Sequence, residues 1–263
     1  MKRIGIDVGG TNTDAVLISD EKVVHSVKRP TTQDVTSGIL DALQTLRANP
    51  AASAPVDAVV IGTTHFINAV VQRRHLQKVA AIRIGMPASA SLPPFCDWPA
   101  DLAGLVGGCT FMLEGGHDYD GRPFMPLDIA GLKAAARQIR DMGLRAAAIS
   151  ASFSPLDPSH ETAALDILAE LCPDVTVTLS HELGRIGLLE RENAALLNAA
   201  LNDLAVTTVA AFRQAIADSG IEAPLYLTQN DGTVMSADMA MALPVMSFAT
   251  RCKLYQWLTI ERG

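Results

Sequence analysis

Three strand patterns before the first helix pattern constrain the fold of this chain more than any other feature. Residues 3–8 (RIGIDV) alternate apolar and polar side chains, and residues 15–19 (AVLIS) and 22–28 (KVVHSVK) predict two more strands. An amphipathic helix is predicted in residues 31–48, and the apolar run at 57–61 predicts a buried strand. This β-β-β-α-β order predicts an antiparallel meander and differs from the dinucleotide-binding fold, in which a helix follows the first strand.

Strand and helix patterns alternate through the rest of the chain, which predicts an α/β protein. The further predicted strands are 78–85, 145–150, 174–179 and a strand with a tight Asp-Gly turn within 223–235. The further predicted helices are a short one capped by Thr63 or Thr64, then 128–142, 158–171 and a long one at 188–219. Between them, the Pro-, Ser- and Ala-rich stretch at 86–99 predicts a loop.

Composition and charge exclude several classes of function. The 263 residues are 49% hydrophobic and 19% charged, as in soluble globular proteins, and the net charge of -7 argues against nucleic-acid or anionic-membrane partners. The four cysteines form no C-x-x-C pair, so neither a zinc site nor a disulfide framework is expected. No run approaches the 18 or so apolar residues of a membrane span, and we expect a cytoplasmic protein with reduced thiols.

The turn after the first strand, DVGGTNTD at residues 7–14, has the composition of a phosphate cradle. Gly9 and Gly10 can adopt positive φ and let a phosphate approach the backbone, whose N–H groups can then point into one concavity. Asp7 would repel a phosphate unless a cation intervenes, and a Mg²⁺ ion held partly through water would remove that conflict. The three polar side chains of the turn are Thr11, Asn12 and Thr13. A plain β-hairpin with polar caps is the alternative interpretation.

The motif and the strand order resemble the first phosphate-binding element of the actin, sugar-kinase and heat-shock-chaperone superfamily, which implies a ribonuclease H-like (actin-like ATPase) lobe. Four further stretches narrow the resemblance: GTTHFINAVVQRR at 62–74, GGHDYDGRP at 115–123 with PLD at 126–128, GLLERENAALLNAAL at 187–201 and QNDGTVMSADMA at 229–240. With them the chain resembles the hydantoinase/oxoprolinase family, whose members couple ATP hydrolysis to opening cyclic amides or to carboxylating ketones.

The resemblance implies ATP and Mg²⁺ as cofactors and assigns roles to matching positions. Asp7 would face the Mg²⁺-nucleotide, and Asp7 and Thr11 are the implied catalytic residues. The implied nucleotide-binding residues are Asp7, Gly9, Gly10, Thr11, Asn12, Thr13, Thr63 and Thr64. A helix cap is an equally good interpretation of Thr63 and Thr64.

A second group of polar residues is assigned by resemblance to a substrate or an interface. These residues are Asn68, Glu190, Arg191, Asn193 and Asn198. Glu190 and Asn193 lie three residues apart, and Arg191 and Asn198 lie seven apart on one helix face. A solvated helix face is the alternative. His117, Asp118 and Asp120 favour a polar turn over a metal site, because the twelfth position of a calcium loop that begins at Asp118 is Ile129 rather than Glu.

The resemblance divides the chain into residues 1–180, an N-terminal hydantoinase/oxoprolinase-type domain, and residues 181–249, the beginning of a second region. The superfamily carries a second phosphate motif, and this sequence contains no second copy of it. Residues 244–249 (PVMSFA) fit the family pattern, whereas residues 250–263 do not, and a shifted reading frame there restores an Asn-Ser-x-x-Gly spacing. We therefore expect an aberrant, frameshifted tail and a truncated enzyme.

The sequence thus predicts the N-terminal portion of an ATP-dependent hydrolase that opens cyclic amides of the hydantoin or 5-oxoproline type. This portion is expected to be weakly active or inactive alone, because phosphoryl transfer needs donors from both sides of a cleft. A second hydantoinase-type subunit is the expected partner, and a homo-oligomer is an option. A sugar- or acid-kinase relative and a non-catalytic binding module are the alternatives.

Overall fold

The computed structural model describes residues 1–30, 35–49, 55–229 and 231–247, and it is an α/β protein, as predicted. By contacts within the chain it divides into two compact units. Unit 1 comprises Met1–Gln72 together with the chain from Asp203, and unit 2 comprises Arg73–Asn202. The predicted boundaries at residues 180 and 249 concern family regions and stay a prediction. The predicted frameshifted tail, 250–263, lies outside the described residues.

The bounds of the elements agree closely with the sequence patterns. The strands are β1 Lys2–Val8, β2 Asn12–Ser19, β3 Lys22–Pro30, β4 Ala58–Thr63, β5 Val79–Met86, β6 Gly107–Glu114, β7 Ala146–Ala151, β8 Thr176–Leu179, β9 Leu225–Thr228 and β10 Val234–Ser236. The helices are α1 Val35–Arg47, α2 His65–Gln72, α3 Ala100–Val106, α4 Ile129–Asp141, α5 Ser159–Leu171, α6 Leu188–Asp218 and α7 Ala237–Ala242. The sequence patterns missed α3 and α7.

Unit 1 is built on a six-stranded sheet with the order β10-β9-β4-β1-β2-β3. The antiparallel meander β1-β2-β3 is confirmed, and its second turn places Asp20 and Glu21 at positive φ (49° and 65°). Strand β4 runs parallel to β1, and β9 runs parallel to β4. Three neighbouring strands of this sheet, β1, β4 and β9, therefore point the same way and end at one edge.

The core of unit 1 explains the strand and helix patterns. Helix α1 packs on the meander, and its Ile39, Leu43 and Leu46 side chains are fully buried with Ile4 and Ile6 of β1. All six residues of β4 are buried, as expected for a central parallel strand. The apolar face of α1 and the alternation of β1 thus meet in one core, which fixes the sheet beneath the turn at residues 9–12.

Unit 2 is built on a four-stranded, fully parallel sheet with the order β6-β5-β7-β8. Helices α4 and α5 contribute Leu132, Ile139 and Leu168 to a core shared with Ile82 and Ile149 of the central strands. Asp128 caps α4 by accepting a hydrogen bond from the Gly131 N–H at 2.8 Å. Because all four strands are parallel, their carboxyl ends also meet at one edge.

Helix α6 is long and apolar. An 18-residue window of it has a mean hydropathy of 1.4, so by length and composition alone the helix could cross a membrane. The search for uninterrupted apolar runs in the sequence had predicted no such segment. However, 61% of that window is buried inside the protein. Leu196 and Ala200 in unit 2, and Phe212 in unit 1, are among its buried residues. This burial is typical of a core helix.

Candidate nucleotide site

Strands β1 and β2 are joined by a tight hairpin turn, with four residues between the paired residues Val8 and Thr13. Val8 pairs with Thr13, and the Gly9 N–H donates to the Asn12 carbonyl at 3.0 Å, so residues 9–12 close tightly. The loop presents Gly10 and Thr11 to solvent, while Asn12 is half-buried and Thr13 is buried. The hairpin interpretation and the phosphate-cradle interpretation therefore describe the same local geometry.

The conformation of Gly10 does not use the freedom that the sequence allowed. Neither Gly9 nor Gly10 adopts the positive φ that a glycine permits. An added Cβ would have no atom within 4 Å. Neither backbone strain nor packing in the described structure requires a glycine here, and the open space beside its Cα is the kind of space that a ligand can enter.

Thr63 and Thr64 lie beside this loop because of the strand register. Thr63 is the last residue of β4 and pairs with Val8 at the end of β1. Its hydroxyl accepts a hydrogen bond from the His65 N–H at 3.1 Å, which supports the start of α2. Thr64 accepts from the Asn68 side-chain amide at 3.2 Å. The threonines therefore help to start α2, and the same geometry puts them next to the predicted phosphate loop.

The third parallel strand brings another polar segment to the same edge. Thr228, the last residue of β9, is buried, and a turn follows in which the Gln229 N–H donates to the Thr233 carbonyl at 2.8 Å. Asp231 accepts from the Thr233 N–H and hydroxyl at 2.9 and 2.7 Å, and Gly232 has a φ of 91°. The predicted Asp-Gly turn is confirmed, and polar loops follow all three parallel strands at one edge of the sheet.

Asp7 is the acidic residue of this edge that the sequence assigned to a metal. It is half-buried near the end of β1 and pairs in register with Gly62 of β4 and Asp14 of β2. Asp14 in turn lies 3.5 Å from the Lys28 ammonium group. Among the described residues, no group of three or more His, Cys, Asp or Glu side chains forms a metal cage. A single carboxylate is nevertheless a sufficient protein ligand for a Mg²⁺ ion that keeps its waters and contacts a nucleotide.

The other predicted polar residues, apart from Asn68, belong to unit 2. Arg191 is buried, and its guanidinium donates to Ser180 Oγ at 2.9 Å and to the carbonyls of Arg185 and Ile186 at 2.9 and 3.0 Å. Burial lowers the pKa of the Arg191 guanidinium, and the nearby carboxylate of Glu161 opposes that shift. Protein groups thus account for the position of Arg191, and its role toward a substrate stays a prediction.

The two predicted asparagines on α6 also have protein partners. Asn198 is fully buried and donates to Thr178 Oγ at 3.1 Å. Asn193 accepts from the Trp98 indole N–H and donates to Asp97, both at 2.8 Å. Glu190 is exposed in the first turn of the helix. Glu190 therefore faces solvent and its role toward a substrate stays a prediction, whereas Asn198 lies inside the unit.

Sequence reasoning missed two buried carboxylates. Glu192 pairs with the fully buried Arg83, whose Nε donates to it at 2.8 Å, and it also accepts from Ser150 Oγ at 2.7 Å. Glu161 accepts from the hydroxyls of Ser154 and Ser180, both at 2.6 Å. Acidic residues are almost never fully buried unless they are paired. Glu192 lies in the family stretch at 187–201, but neither position carried a signal for a buried carboxylate, because partners such as Arg83 and Ser180 come from other segments.

The antiparallel meander, the parallel strands β4 and β9, and the tight Gly-Gly loop define an actin-like ATPase-type lobe. A sequence model described as the hydantoinase/oxoprolinase N-terminal region matches residues 3–172. The chain belongs to this family, and the predicted family resemblance and fold class are confirmed.

Comparisons with individual proteins agree with this assignment. The chain is 28% identical to caprolactamase subunit alpha of Pseudomonas jessenii, over 88% of this chain and 35% of that protein. It is 27% identical to the acetophenone carboxylase gamma subunit of Aromatoleum aromaticum, over 78% of this chain and 32% of that protein. The chain thus spans about a third of the length of these relatives, and both are subunits of larger enzymes.

Two solved structures share the fold. The ATP-dependent caprolactamase from Pseudomonas jessenii aligns with a TM-score of 0.73 and 26% identity, covering 89% of this chain and 36% of that one. The nucleotide-free structure of an acetone carboxylase aligns with a TM-score of 0.75 and 20% identity, covering 94% of this chain and 39% of that one. At 20% identity the second comparison shows the fold alone.

Proposed function

We propose that this chain is the nucleotide-binding, N-terminal portion of an ATP-dependent enzyme that opens cyclic amides of the hydantoin or 5-oxoproline type. The observation that carries the proposal is the strand register of unit 1. Val8 pairs with Thr63, so the glycine loop at residues 9–12, the threonines at 63–64 and the first turn of α2 lie at neighbouring strand ends. Ligands of open α/β sheets bind outside the carboxyl ends of parallel strands.

The residues of this edge fit a Mg²⁺-nucleotide. The backbone beside Gly10 is open, and the Thr11 hydroxyl is exposed as a donor, so a phosphate group can approach both. Asp7 would hold the metal through water, and Thr63 and Thr64 would bound the phosphate position. When ATP is bound, the chemistry that it supplies is transfer of a phosphoryl group to the amide oxygen, which makes the ring carbonyl attackable by water. The chain's own contribution is to orient the phosphates and to neutralise their charge.

The relatives support the cyclic-amide assignment and a partner subunit. The relative at 28% identity is a caprolactamase subunit, and caprolactam is a cyclic amide. We therefore propose that the whole enzyme, in the cytoplasm, combines this chain type with a second hydantoinase-type subunit. The 263-residue polypeptide alone is expected to turn over ATP weakly or not at all, because it contains one phosphate motif. Carboxylation of a ketone is the second candidate, favoured by the 27% identity to an acetophenone carboxylase subunit.

Replacement of Gly10 by alanine tests the nucleotide site. Because an added Cβ meets no atom within 4 Å, Gly10→Ala should fold and melt like the wild type. It should nevertheless weaken Mg·ATP binding by about tenfold, since the methyl group occupies the path of the phosphate. Titration calorimetry with ATP in the presence of Mg²⁺ measures this, and Asp7→Asn should reduce the dependence of binding on Mg²⁺.

Gly104→Ala is the matched control. Gly104 lies in α3, its φ is also outside the left-handed region, and its added Cβ also meets nothing within 4 Å. Equal affinities of the wild type, Gly10→Ala and Gly104→Ala for Mg·ATP would contradict the proposed site. Absence of Mg·ATP binding by the folded wild-type chain would instead favour the non-catalytic binding module.

A further inference from the structure

The sheet of unit 2 has a topological switch point that the nucleotide site does not use. From β5 the chain continues through α3 to β6 on one side, whereas from β7 it continues through α5 to β8 on the other side. The loops that leave the carboxyl ends of β5 and β7 therefore diverge. In open parallel sheets such a divergence creates a crevice, and ligands bind there.

A cavity of about 320 Å³ lies at this point. It is lined by the loop after β5, by Ser152 directly after β7, and by the first turn of α6. The lining residues used below are Ser89, Ser91, Leu92, Ser152, Leu188 and Glu190. We call this the switch-point cavity. Its volume is at the lower end of ligand pockets, so it suits a small molecule.

The end of β5 is built so that two hydroxyl groups converge on the cavity. A Cβ added to Gly85 would lie 2.6 Å from Ser152 Oγ and 3.1 Å from Ser89 Oγ, so the glycine lets both hydroxyls approach the strand. Ser152 is held on both sides, because its N–H donates to the Ile84 carbonyl and its carbonyl accepts from the His117 N–H, both at 3.0 Å. The backbone of Ser152, from which the hydroxyl extends, is therefore held in place by hydrogen bonds.

The segment GGHDYDGRP, which the nucleotide site leaves without a role, forms the wall behind Ser152. Gly116 has a φ of 94°, and a Cβ there would lie 3.0 Å from Ser152 Cβ and 3.2 Å from the Ile84 carbonyl oxygen. The Gly116 N–H donates to His160 Nδ1 at 2.8 Å. Because Gly116 has no side chain, its backbone packs directly against Ser152 and the end of β5.

The charges around the cavity disfavour an anionic ligand. Arg83 is the one cation among the described residues that line it, and its guanidinium is fully buried against the Glu192 carboxylate. Glu190 is exposed at the rim. The accessible charge of the lining is therefore negative, while Leu92 and Leu188 offer apolar surface and Ser152 offers a hydroxyl donor. A carboxylate or phosphate in this cavity would face Glu190, and among the described lining residues the single cation, Arg83, is already paired with Glu192.

We propose that the switch-point cavity binds an uncharged cyclic amide. The Ser152 hydroxyl donates to the amide carbonyl, the Glu190 carboxylate accepts from the amide N–H, and the ring methylenes pack on the leucines. The choice of an amide rests on the proposed function, whereas the preference for an uncharged molecule follows from the cavity itself. Within the cyclic amides, the cavity favours lactams and hydantoins over the anionic 5-oxoproline.

Direct binding to the 263-residue chain without nucleotide tests this proposal. The probes are ε-caprolactam, hydantoin and 5-oxoproline, measured by saturation-transfer NMR and titration at neutral pH. We expect ε-caprolactam to bind more tightly than 5-oxoproline. Leu92→Ala should weaken ε-caprolactam by about tenfold, because it removes a side chain that contacts the ring. Glu190→Gln should bring the affinities of ε-caprolactam and 5-oxoproline closer by a similar factor.

Two matched variants exclude unspecific effects. Leu156 matches Leu92 in exposure, at 49% and 50%, but it does not line the cavity. Leu156→Ala should therefore leave the affinity for ε-caprolactam unchanged. Glu182→Gln is the corresponding control for Glu190→Gln, and thermal melting verifies that each variant is folded. Failure of both neutral probes to bind, equal binding by Leu92→Ala and wild type, or tighter binding of 5-oxoproline would overturn the assignment. Since Mg·ATP binding is measured separately through Gly10→Ala, failure here leaves the nucleotide site standing.

Discussion

Replacement of Arg83 by methionine should destabilise unit 2 by about 3–5 kcal/mol, because it strands a buried carboxylate. Both members of the pair lie inside the unit, with side-chain exposures of 0% for Arg83 and 4% for Glu192. Taking two charges out of water costs several kcal/mol for each ion, and only their mutual contacts offset that cost. The loss of one partner therefore matters more than the net contribution of the pair.

The contacts around the pair set the magnitude. Arg83 donates from Nε to one carboxylate oxygen of Glu192 at 2.8 Å, from Nη2 to the other oxygen, and from Nη1 to the Leu92 carbonyl. Without Arg83, Glu192 keeps the hydroxyl of Ser150 at 2.7 Å. One hydroxyl cannot replace a bidentate guanidinium. The double variant Arg83→Met/Glu192→Met removes both charges, so it should recover most of the loss and come within about 1–2 kcal/mol of the wild type.

Urea unfolding followed by tryptophan fluorescence measures this difference within unit 2. Trp98 belongs to that unit and donates a hydrogen bond to Asn193, so its emission reports on the unit that contains the pair. The second tryptophan, Trp257, is removed by a Trp257→Phe background in every variant. Arg83→Lys serves as the intermediate case, because it keeps the charge but loses the planar fork.

Two results would refute the reasoning about Arg83. A single variant that unfolds within 1 kcal/mol of the wild type would mean that water or another group satisfies Glu192. A double variant that is less stable than Arg83→Met would mean that packing volume, not stranded charge, sets the cost. Either result would also weaken the charge argument for the switch-point cavity, since that argument requires Arg83 to be neutralised by Glu192.

Two further predictions concern local groups of unit 2. Burial, followed by the proximity of His117, lowers the pKa of His160 below its ordinary value of 6.5, so at lower pH the unfolded chain binds more protons than the folded chain. The free energy of unfolding should therefore fall as the pH decreases from about 6.5. In the His160→Asn variant, which keeps an acceptor for the Gly116 N–H, urea titrations at pH 7 and 5 should show a smaller fall of this free energy. The control is His75→Asn, because His75 is exposed and its replacement should leave the pH dependence unchanged. A fall in the free energy of unfolding that is as steep in His160→Asn as in the wild type would contradict the role given to His160. Asp128→Ala should cost about 1 kcal/mol in the same titrations, because it removes the cap of α4, and an unchanged midpoint would show that the cap contributes nothing.

Most of the fold could be predicted because it depends on local patterns. The alternation in β1 and the spacing of Ile39, Leu43 and Leu46 in α1 correspond to side chains that are buried. Helix α3 was missed because its start lacks a signal. Its N-cap position is Pro99, no side chain caps it, and the helix has only seven residues before β6 begins at Gly107. A short helix without a cap is invisible to periodicity.

The candidate nucleotide site was predicted as a list of residues but not as an arrangement. The motif identified the loop at residues 9–12, and the pairing of Val8 with Thr63 explains why the threonines belong beside it. That pairing joins residues 55 positions apart, and no local spacing encodes it. At Gly10 the structure shows open space beside the Cα rather than a positive φ, and the sequence alone could not separate these two reasons for a glycine.

Two predicted polar positions of α6 are held by partners within the protein. Arg191 and Asn198 were predicted to share a face, and both are buried, but their partners are protein groups. Arg191 gathers the carbonyls of Arg185, Ile186 and Gly187, which form the segment that leads into α6. A guanidinium can hold several carbonyls at once because its five donors lie in one plane. By fixing that segment, Arg191 fixes the first turn of α6, and this turn forms one wall of the switch-point cavity. Family-specific residues of this helix can therefore act on a ligand through the backbone that they position, without contacting the ligand themselves.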